Sequence, residues 1–547
     1  RGAVCGARCV WRCHGALLET LGFIDSYVNL KALARGARAD HPLLTGKDII
    51  VSQTLQTALH AHSPRYTAPR TPWPSLAIHG AVLAVWVLLF FNAFFGAGIA
   101  GWAVGLVYIA YDVFLLAFTF WQTLPLRHAP PLMVPGTRPT LGIIIAAYNE
   151  ESVLEATITS LLAQSDPPDE IMIADDGSTD GTADMLCRVY GFAPPGVGEV
   201  TAPSPVLPAL RWLRAAHGGK AATLNSAIAH LTAELMLTVD ADTILADDAI
   251  AAMRNAFATQ PGLVAATGVL APFCDGSVSG RFFEWFQTYE YVRNFLGRYA
   301  WGRMDSLLLI SGAFAGFRRE PVLTVGGFDP DCMVEDYELI HRLRRYGYDH
   351  GLGWHSAVVG TARARTSAPA SVMGFLRQRR RWFGGFLQTQ LWYRDMVGAR
   401  RYGRLGLAML PVKAIDTMQP IYGLFAFILL LFYLCTGRIG VLLPVGGFIF
   451  AKIVIDLAFH LWSIHLYRNW VGGHTRPAFG MAILASFAEP FSFQLFRHLG
   501  ASWGWLFFLT GRDAWGTQRG TQRGTKGGIP DAADAAGLTH DPKVTLR

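Results

Sequence analysis

Charge is what this chain has least of. Asp, Glu, Lys and Arg make up 16% of its 547 residues, against roughly 25% in an ordinary soluble domain. Hydrophobic residues reach 52% and mean hydropathy is +0.29, so a wholly water-soluble chain is excluded and part of it is expected in lipid. Cysteine is scarce too, with seven residues at 5, 9, 13, 187, 274, 332 and 435. No paired spacing runs through them, which argues against a disulfide framework and fits a reducing compartment. Cys5, Cys9 and Cys13 recur every four residues beside His14, but no second ligand pair follows, so they are read as part of a leader. Before residue 70 there is no apolar core with a small-residue cleavage site, so no secretory signal is expected. The excess of positive charge is only +7, and no nucleic-acid partner is expected.

Long apolar runs are what the chain does have. Residues 1–74 read as a cytoplasmic leader closed by a linker containing Pro64, Pro69, Pro72 and Pro74. Leu76 to Phe95 carries no charge, and Trp102 to Trp121 carries only Asp112. Each is long enough to cross about 30 Å of hydrocarbon as a helix, so residues 75–122 are expected to hold two spans. Arg65 and Arg70 precede this pair and Arg127 and Arg138 follow it, which places both outer ends in the cytoplasm by the positive-inside rule. After Arg404 the chain returns to apolar sequence over 386–510. Leu405–Met418 is expected as an interfacial amphipathic helix, with spans at 421–435 and 439–464. Residues 478–510 are broken by Glu489-Pro490 and by Arg497-His498, and are expected not to form one clean span. The tail from 511 is polar and Gly-rich, with residues 526–547 expected to be disordered.

Between the two apolar regions, residues 139–385 change character. Leu141–Ile145, Glu170–Ala174 and Leu235–Val239 are short apolar runs bounded by turn signals, and read as buried strands. Helical stretches alternate with them, which predicts an α/β domain: a mostly parallel sheet with helices on both faces. Ligands gather at the carboxyl ends of strands in such sheets. Tyr148-Asn149-Glu150, Asp175-Asp176-Gly177 and Asp240-Ala241-Asp242 all fall just past a strand end.

The chemistry these residues suit is transfer of a sugar from a nucleotide diphosphate. That reaction needs a divalent cation against the growing diphosphate charge, a base for the acceptor proton, and fixed cations for the leaving group. Asp240 and Asp242 flank a small residue and can share Mg²⁺ or Mn²⁺, which prefer oxygen ligands; a solvated turn is the plainer reading of such a triplet alone. Asp175 and Asp176 suit hydrogen bonds to a base or ribose. Lys220, after Gly218-Gly219, suits the nucleotide. Glu335-Asp336 opens a helical stretch, where a carboxylate can serve as general base or simply compensate the helix dipole. In Gln378-Arg379-Arg380-Arg381-Trp382, arginine forks suit diphosphate oxygens and the indole offers a sugar a flat face. A basic cluster binding anionic lipid is the alternative there. Lys452, Asp456 and His460 lie four apart on one helix face, either facing a sugar-conducting path or as a self-neutralising Lys–Asp pair.

In order and spacing these blocks resemble the family-2 glycosyltransferases, and among them the membrane-integrated cellulose, hyaluronan, chitin and poly-N-acetylglucosamine synthases. The resemblance is strong over residues 140–385 and looser in the flanks. It implies a GT-A-like fold, with Tyr148, Glu150, Asp175, Asp176, Lys220 and Asp240 at the nucleotide, and Asp240 and Asp242 at the metal. It also implies Asp336 as base, Gln378 and Arg381 at the diphosphate, and Trp382 at the acceptor. Gly218–Asn225 resembles the family's Gly-Lys stretch, and Val334-Glu335-Asp336 its Thr-Glu-Asp motif with valine in the threonine place. Trp515-Gly516-Thr517 is similar to the gating motif of hyaluronan and chitin synthases, which implies gating roles for Trp515, Thr517 and Arg519, although Gln518 stands where a basic residue is usual. Ser311–Phe314 looks closest to the poly-N-acetylglucosamine synthase type.

The resulting expectation is an inverting enzyme of the inner (plasma) membrane, with its catalytic domain in the cytoplasm. It would pass a hexose or N-acetylhexosamine from a UDP-sugar to a growing β-linked polysaccharide and couple synthesis to export, with an accessory export subunit among its partners. A non-processive enzyme using a lipid acceptor is the alternative within this chemistry, and an inactive transport or scaffold subunit is the alternative outside it.

Overall fold

The computed structural model describes residues 46–128, 136–472 and 479–511. Its centre is a nine-stranded sheet ordered β3-β4-β2-β1-β5-β8-β7-β9-β6. The strands are β1 Leu141–Ala147, β2 Glu170–Asp175, β3 Glu199–Val200, β4 Leu210–Arg214, β5 Leu235–Asp240, β6 Thr243–Leu245, β7 Leu263–Phe273, β8 Phe314–Arg318 and β9 His355–Ser367. β1 is buried along its whole length, as a central parallel strand covered on both faces must be. Alternate residues divide between two cores. Ile143 and Ile145 pack with the helices Leu154–Leu162 and Ala249–Thr259. Ile144 and Ala146 pack with Lys220–His230 and Glu335–Asp349, the two-residue period of a pleated strand.

The sheet is mixed, its longest ladders parallel and its shortest ones antiparallel. β4, β2, β1 and β5 run parallel, but β8 enters antiparallel between β5 and β7, and the edge strands β3 and β6 also pair antiparallel. The reversal has a consequence for the site. The start of β8 lies beside the end of β5, with Val239 opposite Phe314, so the loop before β8 joins the rim where the parallel strands end.

Four helices among the described residues are long and apolar enough to cross a bilayer: Trp73–Phe95, Gly98–Arg127, Leu405–Cys435 and Ile439–Val471. Two lie on each side of the α/β domain. The helical path over Leu405–Cys435 incorporates the segment expected to lie separately at the interface. Pro411 stands in the first turn of its helical segment, where no N–H is needed, and Lys413 is neutralised by Asp416 at 2.6 Å. Residues 479–509 form two short helices, Phe479–Ala488 and Phe493–Leu509, separated by a turn at Glu489–Phe491.

The polar residues of the apolar helices find partners across helices. Lys452 pairs with Asp456 one turn away and with Asp112 of another helix at 2.6 Å. His460 Nδ1 meets Ser486 Oγ at 2.6 Å. Part of the expected N-terminal linker is also seated. The helix Gly46–His62 buries Leu55 and Leu59 against Gly326, whose φ is +94°, and a Cβ there would lie 2.2 Å from the Leu59 nitrogen. Arg65 then donates to both carboxylate oxygens of Asp329, at 2.6 and 2.9 Å.

Candidate active site

The rim formed by the ends of β2, β1 and β5 and the start of β8 gathers most of the residues the motifs single out. At its β1–β2 side, Asn149 adopts a left-handed backbone, φ 59°, which an asparagine tolerates better than most residues. Its Oδ1 accepts from the backbone N–H groups of Thr179 and Asp180, at 2.7 and 3.2 Å. This ties the turn after β1 to the turn after β2. Glu150 is fixed through its own N–H, which donates to Thr182 Oγ1 at 3.1 Å.

Of the two carboxylates at the end of β2, Asp175 holds its own turn and Asp176 holds a neighbouring loop. Asp175 Oδ1 accepts from Ser178 N at 2.8 Å. Asp176 Oδ1 accepts from Gly218 N, Gly219 N and Thr223 Oγ1, at 2.8, 3.1 and 2.8 Å. Asp176 thus holds the glycine loop that delivers Lys220. His217 bonds through Nδ1 to the Asp176 backbone oxygen at 3.0 Å, and its ring stacks on Tyr148 at 4.5 Å between centroids. His217 is a site residue that motif spacing did not reveal, since its partner ring comes from a different strand end.

The acidic centre lies at the β5–β8 side. Lys220 is buried and its ammonium pairs with Asp240. Lys220 Nζ also donates to the carbonyl of Gly312, at 3.4 Å. The N–H of the same Gly312 donates to Asp336 Oδ2 at 2.7 Å, while Asp336 Oδ1 accepts from Tyr337 N at 2.8 Å. Asp336 is partly exposed at the first turn of the helix Glu335–Asp349. Its neighbour Glu335 is buried, and among the described residues Oε2 of that side chain has no hydrogen-bond partner. Burial raises the Glu335 pKa, Lys220 and Arg381 oppose that rise, and Asp336 adds to it. Asp242 is half-buried in the turn between β5 and β6.

The helix Val372–Trp392 carries the remaining motif residues and packs against the helix Phe493–Leu509. Three of its four arginines are consecutive, Arg379 to Arg381, and they diverge, as successive helical residues must. Arg379 pairs with buried Glu290. The Arg380 guanidinium lies 4.5 Å from the ring centre of Trp503. Arg381 Nη1 donates to the Met333 carbonyl at 3.3 Å, just before Glu335-Asp336. Gln388 adds a second staple by accepting from Met333 N at 3.1 Å. Val334, which replaces the motif threonine, packs against Gly385, where a Cβ would lie 2.5 Å from its Cγ2. Gln378 Oε1 is buried with no hydrogen-bond partner among the described residues.

Residues 139–385 match the family described as Glycosyltransferase like family 2. This segment is a family-2 glycosyltransferase domain. Poly-beta-1,6-N-acetyl-D-glucosamine synthase of Staphylococcus epidermidis is 26% identical to the chain over 294 residues, covering 52% of this chain and 62% of that protein. The synthase of the same name from Staphylococcus aureus (strain COL) is 27% identical over 287 residues, with the same coverage. The chain therefore spans 62% of the length of these relatives. Among solved structures, a mannosyltransferase from Pyrobaculum calidifontis in complex with GDP-Man and Mn²⁺ aligns over 71% of this chain and 99% of its own, with a TM-score of 0.48 and 19% identity.

Within the glycosyltransferase domain, the donor set fits a hard divalent cation. Asp240 and Asp242 offer only oxygen, from one turn at the sheet rim. Among the described residues no group of three or more His, Cys, Asp or Glu side chains forms a metal cage. A cation on two carboxylates would complete its shell with substrate phosphate oxygens and water, as Mg²⁺ commonly does. Trp515, Thr517 and Arg519, as well as Cys5, Cys9 and Cys13, lie outside the described residues.

Proposed function

We propose that this chain is a membrane glycosyltransferase that moves a hexose or N-acetylhexosamine from a UDP-sugar to the end of a growing β-linked glycan, with inversion at the anomeric carbon. The observation that carries this reading is the bridge at Gly312. Its carbonyl takes Lys220, the partner of Asp240, and its N–H takes Asp336. Donor-side charge and a candidate base thus meet across a single residue.

On the donor side, Tyr148 and Glu150 line the nucleotide, Asp175 and Asp176 shape the loops around it, and Lys220 reaches the phosphates. Asp240 and Asp242 would hold Mg²⁺ or Mn²⁺, which offsets diphosphate charge when bound. Gln378 and Arg381 hold the leaving diphosphate and Trp382 faces the acceptor sugar. In the transfer, Asp336 takes the proton of the acceptor hydroxyl as that oxygen bonds to the anomeric carbon. The bond from that carbon to the phosphate oxygen breaks, and UDP leaves with the electron pair. The names of the relatives favour N-acetylglucosamine as the transferred sugar. The apolar helices on both sides of the domain favour synthesis at a membrane coupled to export, with the catalytic domain on the cytoplasmic side, where UDP-sugars are made.

Incubating the purified full chain with a panel of radiolabelled UDP-sugars tests the reading. Incorporation into a ladder or high polymer from one UDP-sugar supports it. A single labelled glycolipid would replace it with the non-processive alternative, and incorporation from no UDP-sugar would refute it.

A further inference from the structure

Arg379 shares the helix Val372–Trp392 with Arg381, but it is directed to Glu290 whereas Arg381 is directed to the Met333 carbonyl. Its guanidinium donates to both oxygens of Glu290, at 2.9 and 2.6 Å. The two side chains are only 6% and 2% exposed. Such a fork-on-fork pair fixes the guanidinium plane as well as its charge. The same plane lies 4.5 Å from the ring centres of both Phe375 and Trp382. These rings are four residues before it and three after it, so all three share one helix face. Trp382 is itself only partly buried.

Glu290 has a second cation. Arg497, on the helix Phe493–Leu509, approaches it with Nε at 3.3 Å and is steadied by Gln494 Oε1 at 3.0 Å. That helix lies directly on the arginine stem: a Cβ at Gly500 would fall 2.6 Å from Arg379 Cβ. A second glycine, Gly504, allows the same approach one turn later, against Phe383 and Gly384. The stacking arginine is therefore held by the helix Val278–Arg303 through Glu290 and covered by the C-terminal helix.

We propose that Arg379 is a positioning residue for acceptor binding: clamped by Glu290, it covers one face of the Trp382 indole and fixes the ring so that the other face receives the acceptor sugar, while Arg497 links this clamp to the C-terminal helix. The proposal rests on the reading that Trp382 faces the acceptor. The clamp sets acceptor affinity and the length of product released, and leaves donor binding alone.

The test compares wild type, Arg379→Lys, Trp382→Ala and the double variant. Initial rates are measured against a defined glycan oligomer and, separately, against the UDP-sugar. Arg379→Lys keeps a positive charge opposite Glu290 but loses the fork and the planar stack. The expected result is an acceptor KM raised about tenfold, an unchanged UDP-sugar KM and a shorter product. In the Trp382→Ala background the same change should have no further effect on acceptor KM. An unchanged acceptor KM in Arg379→Lys, or an equal rise in both KM values, would overturn the proposal. If Trp382→Ala itself leaves acceptor KM unchanged, the acceptor reading of Trp382 fails as well. Should Arg379→Lys not be recovered as monodisperse protein, Arg497→Gln, which leaves the stack in place, is read in the same assay. There a selective rise in acceptor KM of about threefold supports the clamp and no change overturns it.

Discussion

The backbone N–H of Gly312 donates to Asp336 Oδ2 at 2.7 Å, so the loop before β8 holds the carboxylate read here as the base. A Cβ at residue 312 would stand 2.9 Å from that oxygen, closer than the carboxylate can remain. Gly312→Ala is therefore expected to displace Asp336 while leaving Lys220 and Asp240 paired. A small displacement of a reacting group costs one to two powers of ten, so kcat should fall about 10- to 100-fold with UDP affinity retained. Steady-state rates and UDP binding on the same preparation check this. A normal kcat would show that the position of Asp336 does not matter.

The carboxylates of Asp240 and Asp242 give a second expectation. Activity should vanish in EDTA and return on adding Mg²⁺ or Mn²⁺. Asp242→Ala should stay inactive at metal concentrations that restore wild type. Full turnover in chelator would remove the metal from the account.

Stability should carry the signature of His341. This ring is buried on the helix Glu335–Asp349, where its Nδ1–H donates to the Tyr337 carbonyl at 2.9 Å. Burial lowers its pKa from 6.5 to about 4. Between those values the unfolded chain binds more protons than the folded one. The contribution is thus fully present above pH 6.5 and is lost as pH falls towards 4, by about 3 kcal/mol at most. Glu335 acts in the opposite sense, because its raised pKa makes the folded state bind more protons as pH rises from 4.5. The difference between wild type and His341→Phe isolates the histidine: unfolding midpoints in detergent should diverge below pH 6.5, with wild type losing more. Parallel midpoints down to pH 4 would contradict the assignment.

Much of this was legible in the sequence because it depends on local pattern. The apolar runs at Leu141–Ile145, Glu170–Ala174 and Leu235–Val239 are β1, β2 and β5, and their turn residues mark the rim. The antiparallel entry of β8 was not legible, since it depends on which strand a distant segment pairs with. The same is true of the three consecutive arginines, alike in sequence but directed to Glu290, Trp503 and Met333 by three different neighbours. Lys452 reads either as a self-neutralising pair with Asp456 or as part of a stripe facing a sugar path; the pair with Asp456 is present, and a further bond to Asp112 joins two helices far apart in the chain. Asp176 reads as a group for the nucleotide, and its oxygens also hold the loop before Lys220. Spacing alone does not show which loop a carboxylate will hold.

The proposed transfer turns on Asp336 taking the acceptor proton. Asp336→Asn keeps the size of the side chain and its place at the start of the helix, but removes the basic oxygen. Transfer from the UDP-sugar should fall about 10²-fold or more, with UDP binding measured by calorimetry close to wild type. Turnover near wild type in that variant would contradict the account.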